Sequence, residues 1–281
     1  SCDKLIEKKQ REFTAMKEQK KKHLFTNRQL AALLIPLALD QLLNSFMGTV
    51  DTLIVSNIGS AAISAVSLVD AINILVVEAF LALAAGGTVV CSQYLGNKDV
   101  EKANKAAGQL VFVTFFLSLL MAVICIAFHE PILRAIFGKV EKEVMDNAKI
   151  YFLFSAVAFP FIALYDDGAS ILRAQENSRL PMQISIIANV LNVVLNLLFV
   201  WGFHLGVGGS ACATMLARAF AMAAVLYELR KPKWTVHLKS YFSIRPDWDQ
   251  IRRILKIGIP SGIENSMFQV SESWQSSPRS L

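Results

Sequence analysis

Charge is scarce in this sequence where a water-soluble domain would need it. Only 18% of the 281 residues are Asp, Glu, Lys or Arg, 54% are hydrophobic, and mean hydropathy is +0.46. Soluble domains carry about a quarter charged residues, so an ordinary hydrated surface is excluded. The scarcity is also uneven. Residues 1–28 hold 9 basic and 4 acidic side chains, residues 229–256 hold 8 and 2, and only 27 charges remain for the other 225 residues. Long apolar runs in that remainder exclude disorder. Cys2, Cys91, Cys125 and Cys212 form no CxxC pair, and three of them lie inside apolar runs. A secreted disulfide scaffold is therefore excluded, and these cysteines read as small buried hydrophobes. Histidine is equally sparse: His23, His129, His204 and His237 all fall in loops or tails. With no HExxH, no GxSxG and no metal-ligand spacing, the sequence does not read as an enzyme.

What is present is apolar length. A hydrocarbon core about 30 Å thick takes roughly 20 residues of helix. Six segments qualify: Leu30–Ser56, Ala62–Tyr94, Ala106–Phe128, Ile150–Leu164 with its continuation, Pro181–Phe203 and Gly209–Tyr227. A seventh begins near Ile254 and stops around Val270. A signal peptide would be shorter and would carry a small-residue cleavage site. The expected fold is an all-α polytopic membrane protein, a six-helix bundle with a partial seventh helix. Its expected divisions are a basic tail (1–28), the bundle (29–228), a linker (229–253), the start of helix seven (254–270) and a polar tail (271–281). Ser271–Leu281, SESWQSSPRSL, turns polar where a span should continue, and reads as a truncated or frame-shifted end. Met16, just before KEQKKKH, is a candidate start.

Basic residues orient the bundle, because cytoplasmic loops accumulate Lys and Arg. The tail, the Gly96–Lys105 loop, Arg173 and Arg179 after span four, and the linker together carry 22 basic residues. The opposite loops hold only Arg134, Lys139, Lys142 and Lys149. Tail and linker are therefore expected in the cytoplasm of a cell-membrane protein. The net charge of +6 is a topology signal and implies no nucleic-acid partner.

The chain also repeats itself. LLIPLALDQLLN at Leu33–Asn44 aligns with IGIPSGIENSMF at Ile257–Phe268, pairing Asp40 with Glu264 at an offset of 224 residues. A six-span unit is even, so a second copy would enter in the same orientation, as in parallel-repeat transporters.

Ionisable groups inside a membrane are costly and mark function. In span one, Asp40, Asn44 and Asp51 fall within about 40° of arc at 100° per residue. Pro36 removes a backbone donor just before this stripe, and Gly48 loosens the helix within it. In span five, Ser185, Asn189, Asn192 and Asn196 fall within about 60°. Such a face must point into protein or water, whether as interhelical hydrogen bonding or as a site. Asp70 and Glu78 in span two either line a cavity or pair with Arg218 of span six.

Ile35–Gly59, IPLALDQLLNSFMGTVDTLIVSNIG, resembles the first helix of the multidrug and toxic compound extrusion (MATE) transporters. The resemblance continues through QYLGNKDVEKA at Gln93–Ala103, ILRAQENSRLPM at Ile171–Met182, ANVLNVVLNLLFVWG at Ala188–Gly202 and GVGGSACATMLAR at Gly206–Arg218. It covers about residues 29–270. It implies one six-helix lobe of a twelve-helix, two-lobe exporter of small organic cations, driven by inward Na⁺ or H⁺ and using no cofactor. It further implies that a coupling-cation pocket comprises Asp51, Asn192, Asn196 and Thr214, with Asn189 one turn earlier and Asp40 and Asn44 as further cavity or coupling groups. Some members carry an acid where this chain has Asn196. Oxygen ligands from Asp51, Asn192, Asn196 and Thr214 would suit Na⁺, and a proton on Asp51 would serve the same role. Without a second lobe the chain is not expected to transport alone. A competing reading, a lipid-linked oligosaccharide flippase of the same superfamily, would require a cavity lined with Arg and Lys, whereas the spans contain only Arg218.

Overall fold

The computed structural model describes residues 27–138, 140–238 and 246–276. The basic tail before Asn27, Lys139, residues 239–245 and residues 277–281 lie outside the described residues. The described chain is built from helices: α1 (Asn27–Ser56), α2 (Ser60–Gly96), α3 (Val100–Ala127), α4 (His129–Phe137), α5 (Lys142–Ala174), α6 (Arg179–Asn196) running into a π-helical turn (Leu197–Gly202), α7 (Gly206–Leu229) and α8 (Trp248–Ser276). Five of them, α2, α3, α5, α6 with its π turn, and α7, are long and apolar enough to cross a membrane. At 30 residues α1 is about 45 Å long, which also suffices.

Local chemistry sets several boundaries. The Asp99 side chain accepts from the Lys102 backbone N–H (3.1 Å), satisfying a donor that the first turn of α3 would otherwise leave open. The Asn177 side chain does the same for Leu180 N–H (3.1 Å) at the start of α6. Gly206 adopts φ +58° as the chain turns into α7, a conformation that costs glycine little. Pro36 lies inside α1 and Pro160 inside α5, and both helices continue through them. The sequence reading placed a loop between spans three and four. The structure inserts α4 there, HEPILRAIF, whose Leu133 is fully buried while Ile136 is exposed. Nine residues are too few to register as a span, yet they suffice for a short amphipathic helix. The seventh helix also differs from the expectation, since α8 starts at Trp248, inside the expected linker, and runs to Ser276.

α5 is the centre of the bundle, packed by α2, α7 and α3, while α1 packs mainly on α6 and α8 mainly on α2. Membrane helices gain little from hydrophobic association, so close approach through small residues carries the packing. Ala65, Ala148, Ala156 and Ala163 are buried around Phe80, Phe152 and Phe159. Phe80 and Phe159 meet edge to face at 6.2 Å, worth about 0.5–1.5 kcal/mol beyond burial. The α2–α8 contact is closer still: a Cβ added at Gly258 would lie 2.9 Å from the Ala82 carbonyl oxygen, and one at Gly86 2.6 Å from that of Ile254. Large apolar side chains face outward on α1 (Leu42, Phe46), α3 (Phe116, Leu120) and α6 (Val190, Val194), as a lipid-facing surface requires.

The segment after α7 folds back onto the bundle. Gln175 accepts from Val236 N–H (2.8 Å) and donates to Val236 C=O (3.1 Å), imitating a strand partner. The Asn104 side chain accepts from His237 N–H (2.8 Å), and Val236 and Leu238 are buried. This end of the bundle also holds the turns at Asn97–Asp99 and Gln175–Ser178.

Candidate functional site

The polar stripes of α1 and α6 face each other. Asn196 Nδ2 donates to Asp51 Oδ1 (3.0 Å), and Asn192 Nδ2 donates to Asp51 Oδ2 (3.4 Å). Asn192 Nδ2 also reaches Thr214 Oγ1 on α7 (3.5 Å), and Asn196 Nδ2 is bonded to Asn192 Oδ1. Asn192 and Asn196 are buried. The structure therefore brings Asp51, Asn192, Asn196 and Thr214 into one cluster between three helices.

Asn189, Asn44 and Asp40 form a separate run. Asn189 Nδ2 donates to Asn44 Oδ1 (3.3 Å), and Asn44 Nδ2 donates to Asp40 Oδ1 (3.5 Å). Asp40 Oδ2 is 3.4 Å from Arg173 Nη2 at the end of α5, an ion pair with both side chains mostly buried. Asn189, one turn before Asn192 on α6, thus contacts α1 at Asn44, about two turns before Asp51. Asp40 has a structural counter-ion that the one-dimensional pattern could not reveal, because Arg173 lies 133 residues away.

The expectation for the pocket was amide oxygens around Asp51, and the structure presents amide N–H groups instead. An ionised carboxylate can only accept, so the asparagines turn their donors to it. One acceptor then stays open: Asn196 Oδ1 is buried and has no hydrogen-bond partner among the described residues. Directly after Asn196 the helix widens into the π turn, a feature that is frequent at functional sites.

Asp70, Glu78 and Arg218 line one cavity of about 410 Å³ together with Tyr151, Ser155 and Thr214. Within it Asn73 Nδ2 donates to Asp70 Oδ1 (3.3 Å) and Ser155 Oγ (3.1 Å). Because Thr214 belongs to both, this cavity adjoins the Asp51 cluster. Tyr151, on α5, was not singled out from the sequence, since a tyrosine in an apolar run carries no spacing signal. Asp166 and Asp167 on α5 were also missed; their neighbours' hydropathy masks them.

Solved structures share this fold. A MOP superfamily transporter from Pyrococcus furiosus Vc1 superposes with TM-score 0.80 at 21% identity, over 87% of this chain and 54% of that one. A MATE protein in a bent conformation gives TM-score 0.80 at 20% identity, over 89% of this chain and 56% of that one. Among sequences, the uncharacterized transporter YisQ of Bacillus subtilis is 29% identical over 249 residues, covering 86% of this chain and 54% of its own. The probable multidrug resistance protein YoeA of the same organism is 28% identical over 261 residues, covering 90% and 56%. The chain spans about half the length of the relatives it matches. The MatE family model covers residues 36–198, more than half the chain and all of the α1 and α6 site residues. On that match, and with apolar helices arranged as in the solved transporters, this multi-pass membrane protein belongs to the MatE family.

Proposed function

We propose that the chain forms the N-terminal lobe of a secondary antiporter that exports small organic cations in exchange for Na⁺ or H⁺. The observation that carries this reading is the Asp51 carboxylate, held between α1, α6 and α7 by Asn192 and Asn196 with Thr214 beside them. Two of the relatives, YoeA and the NorM protein of Thermotoga maritima, are probable multidrug resistance proteins, which favours drugs as the cargo. Partner, cleft and cargo belong to the two-lobe assembly, in which the 229–253 segment links this lobe to a second copy starting at the 224-residue offset. The basic residues orient tail and linker towards the cytoplasm of the cell membrane.

The donor set suits either coupling ion. A proton on Asp51 turns one carboxylate oxygen into a donor, and the open Asn196 Oδ1 is an acceptor within the same cluster. For Na⁺, a half-turn of the two amides exchanges N–H donors for carbonyl oxygens, leaving the hard oxygen ligands of Asp51, Asn192, Asn196 and Thr214. Either change replaces N–H donors on the Asp51 carboxylate by a different set of contacts between α1 and α6. The cation and the position of α1 are then linked, and that linkage is what couples ion entry to cargo release.

The test is cation binding to the purified chain in lipid nanodiscs, read as Na⁺ uptake and as proton release at fixed pH. Saturable binding that is lost in Asp51→Asn and retained in Asp40→Asn is the expected result. Unchanged binding in Asp51→Asn would place the ion elsewhere. In vesicles carrying the two-lobe assembly, the same substitution should abolish gradient-driven efflux and leave membrane insertion intact.

A further inference from the structure

α8 packs on α2 through the face that carries Ile251, Ile254 and Gly258. Roughly 120° round the helix, Trp248, Arg252, Lys256, Ile259, Ile263 and Met267 form one exposed stripe. Its two halves differ in chemistry: the first carries the cations, and the second carries only large apolar side chains. Lys256 and Ile259 are about 4.5 Å apart along the axis, so charge gives way to apolar surface within one turn. At this boundary lies a groove of about 830 Å³, lined by Asp249, Arg252, Arg253, Leu255, Lys256 and Ile259. Three cations therefore face one carboxylate. At the same end of the bundle Lys102 and Lys105 pair with Asp99 and Asp247, whereas Arg252 and Lys256 have no ion-pair partner among the described residues. Arg253 donates to Tyr94 Oη (3.0 Å).

The exposed run Ile259, Ile263 and Met267 calls for a cover, either lipid or another helix. The internal repeat separates the two. At the 224-residue offset Glu264 corresponds to Asp40, on the α1 face that packs on α6, while Ile259 and Ile263 correspond to Ile35 and Leu39, which face outward. The face carrying Glu264 lies about 100° round the helix from Ile263, and it is the one a second lobe would take. The stripe is thus left to lipid. A zwitterionic headgroup would bring its own ammonium to a groove already rich in cations. A net-anionic one brings phosphate oxygens alone, which guanidinium and ammonium groups bond strongly. We propose that the Arg252–Lys256 groove binds the headgroup phosphate of an anionic phospholipid, whose acyl chain lies along Ile259, Ile263 and Met267. Trp248 then stands at headgroup level, where indole rings collect. The bound lipid fixes the start of α8 at the membrane surface, whatever ion Asp51 takes.

Native mass spectrometry of the whole chain, titrated in detergent with phosphatidylglycerol or with phosphatidylcholine of the same acyl chains, tests this. Each cation beside an anionic headgroup is worth about five-fold in affinity, so the two should favour phosphatidylglycerol on the order of 25-fold at one saturable site. Arg252→Gln with Lys256→Gln should bring the two lipids level. Lys98→Gln with Lys102→Gln, which removes the same charge from the same end of the bundle, should leave the preference intact. Excess inorganic phosphate should not displace the lipid, and Ile259→Ser with Ile263→Ser should weaken both lipids alike. An undiminished preference in the Arg252 and Lys256 variant, or an equal loss in the Lys98 and Lys102 variant, overturns the assignment. Displacement by inorganic phosphate also overturns it, marking a site for the free anion. A dimer that Ile259→Ser with Ile263→Ser dissolves overturns it too, marking a second copy as the occupant. Should the double glutamine variant fail to fold, Arg252→Gln and Lys256→Gln singly decide: a preference unchanged in both overturns it.

Discussion

Asn196 Nδ2 stands 3.0 Å from Asp51 Oδ1, joining α6 to α1 across 145 residues of sequence. Replacing Asn196 by Leu removes that donor from a part-buried carboxylate, a loss of about 1–3 kcal/mol. Replacing it by Asp puts two carboxylates against each other, and such a pair releases its protons in coupled steps. Asn196→Asp is expected to keep cation binding while moving its pH profile towards alkaline values. Binding isotherms across a pH series check this; a profile superimposable on the original would contradict it.

The charge asymmetry of the loops makes a topological expectation. A cysteine at the exposed Arg134 of α4 should react with a membrane-impermeant maleimide added to intact cells. One at the exposed Lys233 should react only after the membrane is opened. Equal labelling at both positions would refute an orientation with the linker in the cytoplasm.

Close helix approach sets a packing expectation. At Gly258 an added Cβ meets backbone, the Ala82 carbonyl oxygen at 2.9 Å, and backbone cannot move aside as a flexible side-chain tip can. Gly258→Leu should therefore destabilise the α2–α8 pairing by about 1–3 kcal/mol, as overpacking commonly does. Gly48→Leu, where nothing lies within 4 Å, should cost little. Thermal unfolding in detergent distinguishes the two, and equal melting temperatures would argue against this contact.

A pH effect is expected where the linker returns to α3. The Lys105 ammonium bonds the Asp247 carboxylate and holds it below the usual carboxylate range, outweighing its desolvation. Asp247 N–H is in turn bonded to Gln109 Oε1 (3.1 Å). A carboxylate lowered on folding stabilises the docked form above its unfolded value, near 4, and that contribution fades as pH falls through the folded value. Relative to the intrinsic exchange rate at each pH, protection of the 247–250 amides should fall on acidification and, at neutral pH, in Lys105→Met. If Lys105→Met exchanges at the original rate, the ion pair does not hold the linker.

The sequence by itself determined the periodic features. Helical spans, the alignment of Asp40, Asn44 and Asp51 on one face of α1, and that of Asn189, Asn192 and Asn196 on one face of α6 follow from 3.6 residues per turn. So did the family, through motifs carried in the right order along the chain. Tertiary structure decided which members of the two stripes meet: Asn189 with Asn44, but Asn192 and Asn196 with Asp51. It also gave Asp40 its partner Arg173. Periodicity fixes only the angle of a residue about its own helix axis. Depth in the membrane and the rotation of one helix against another depend on where helices can approach, here at Gly86, Gly258 and Gly168. Those contacts lie between residues far apart in sequence, so no local pattern records them. For the same reason averaging over an apolar span hid Asp166 and Asp167, whose neighbours along the chain are apolar.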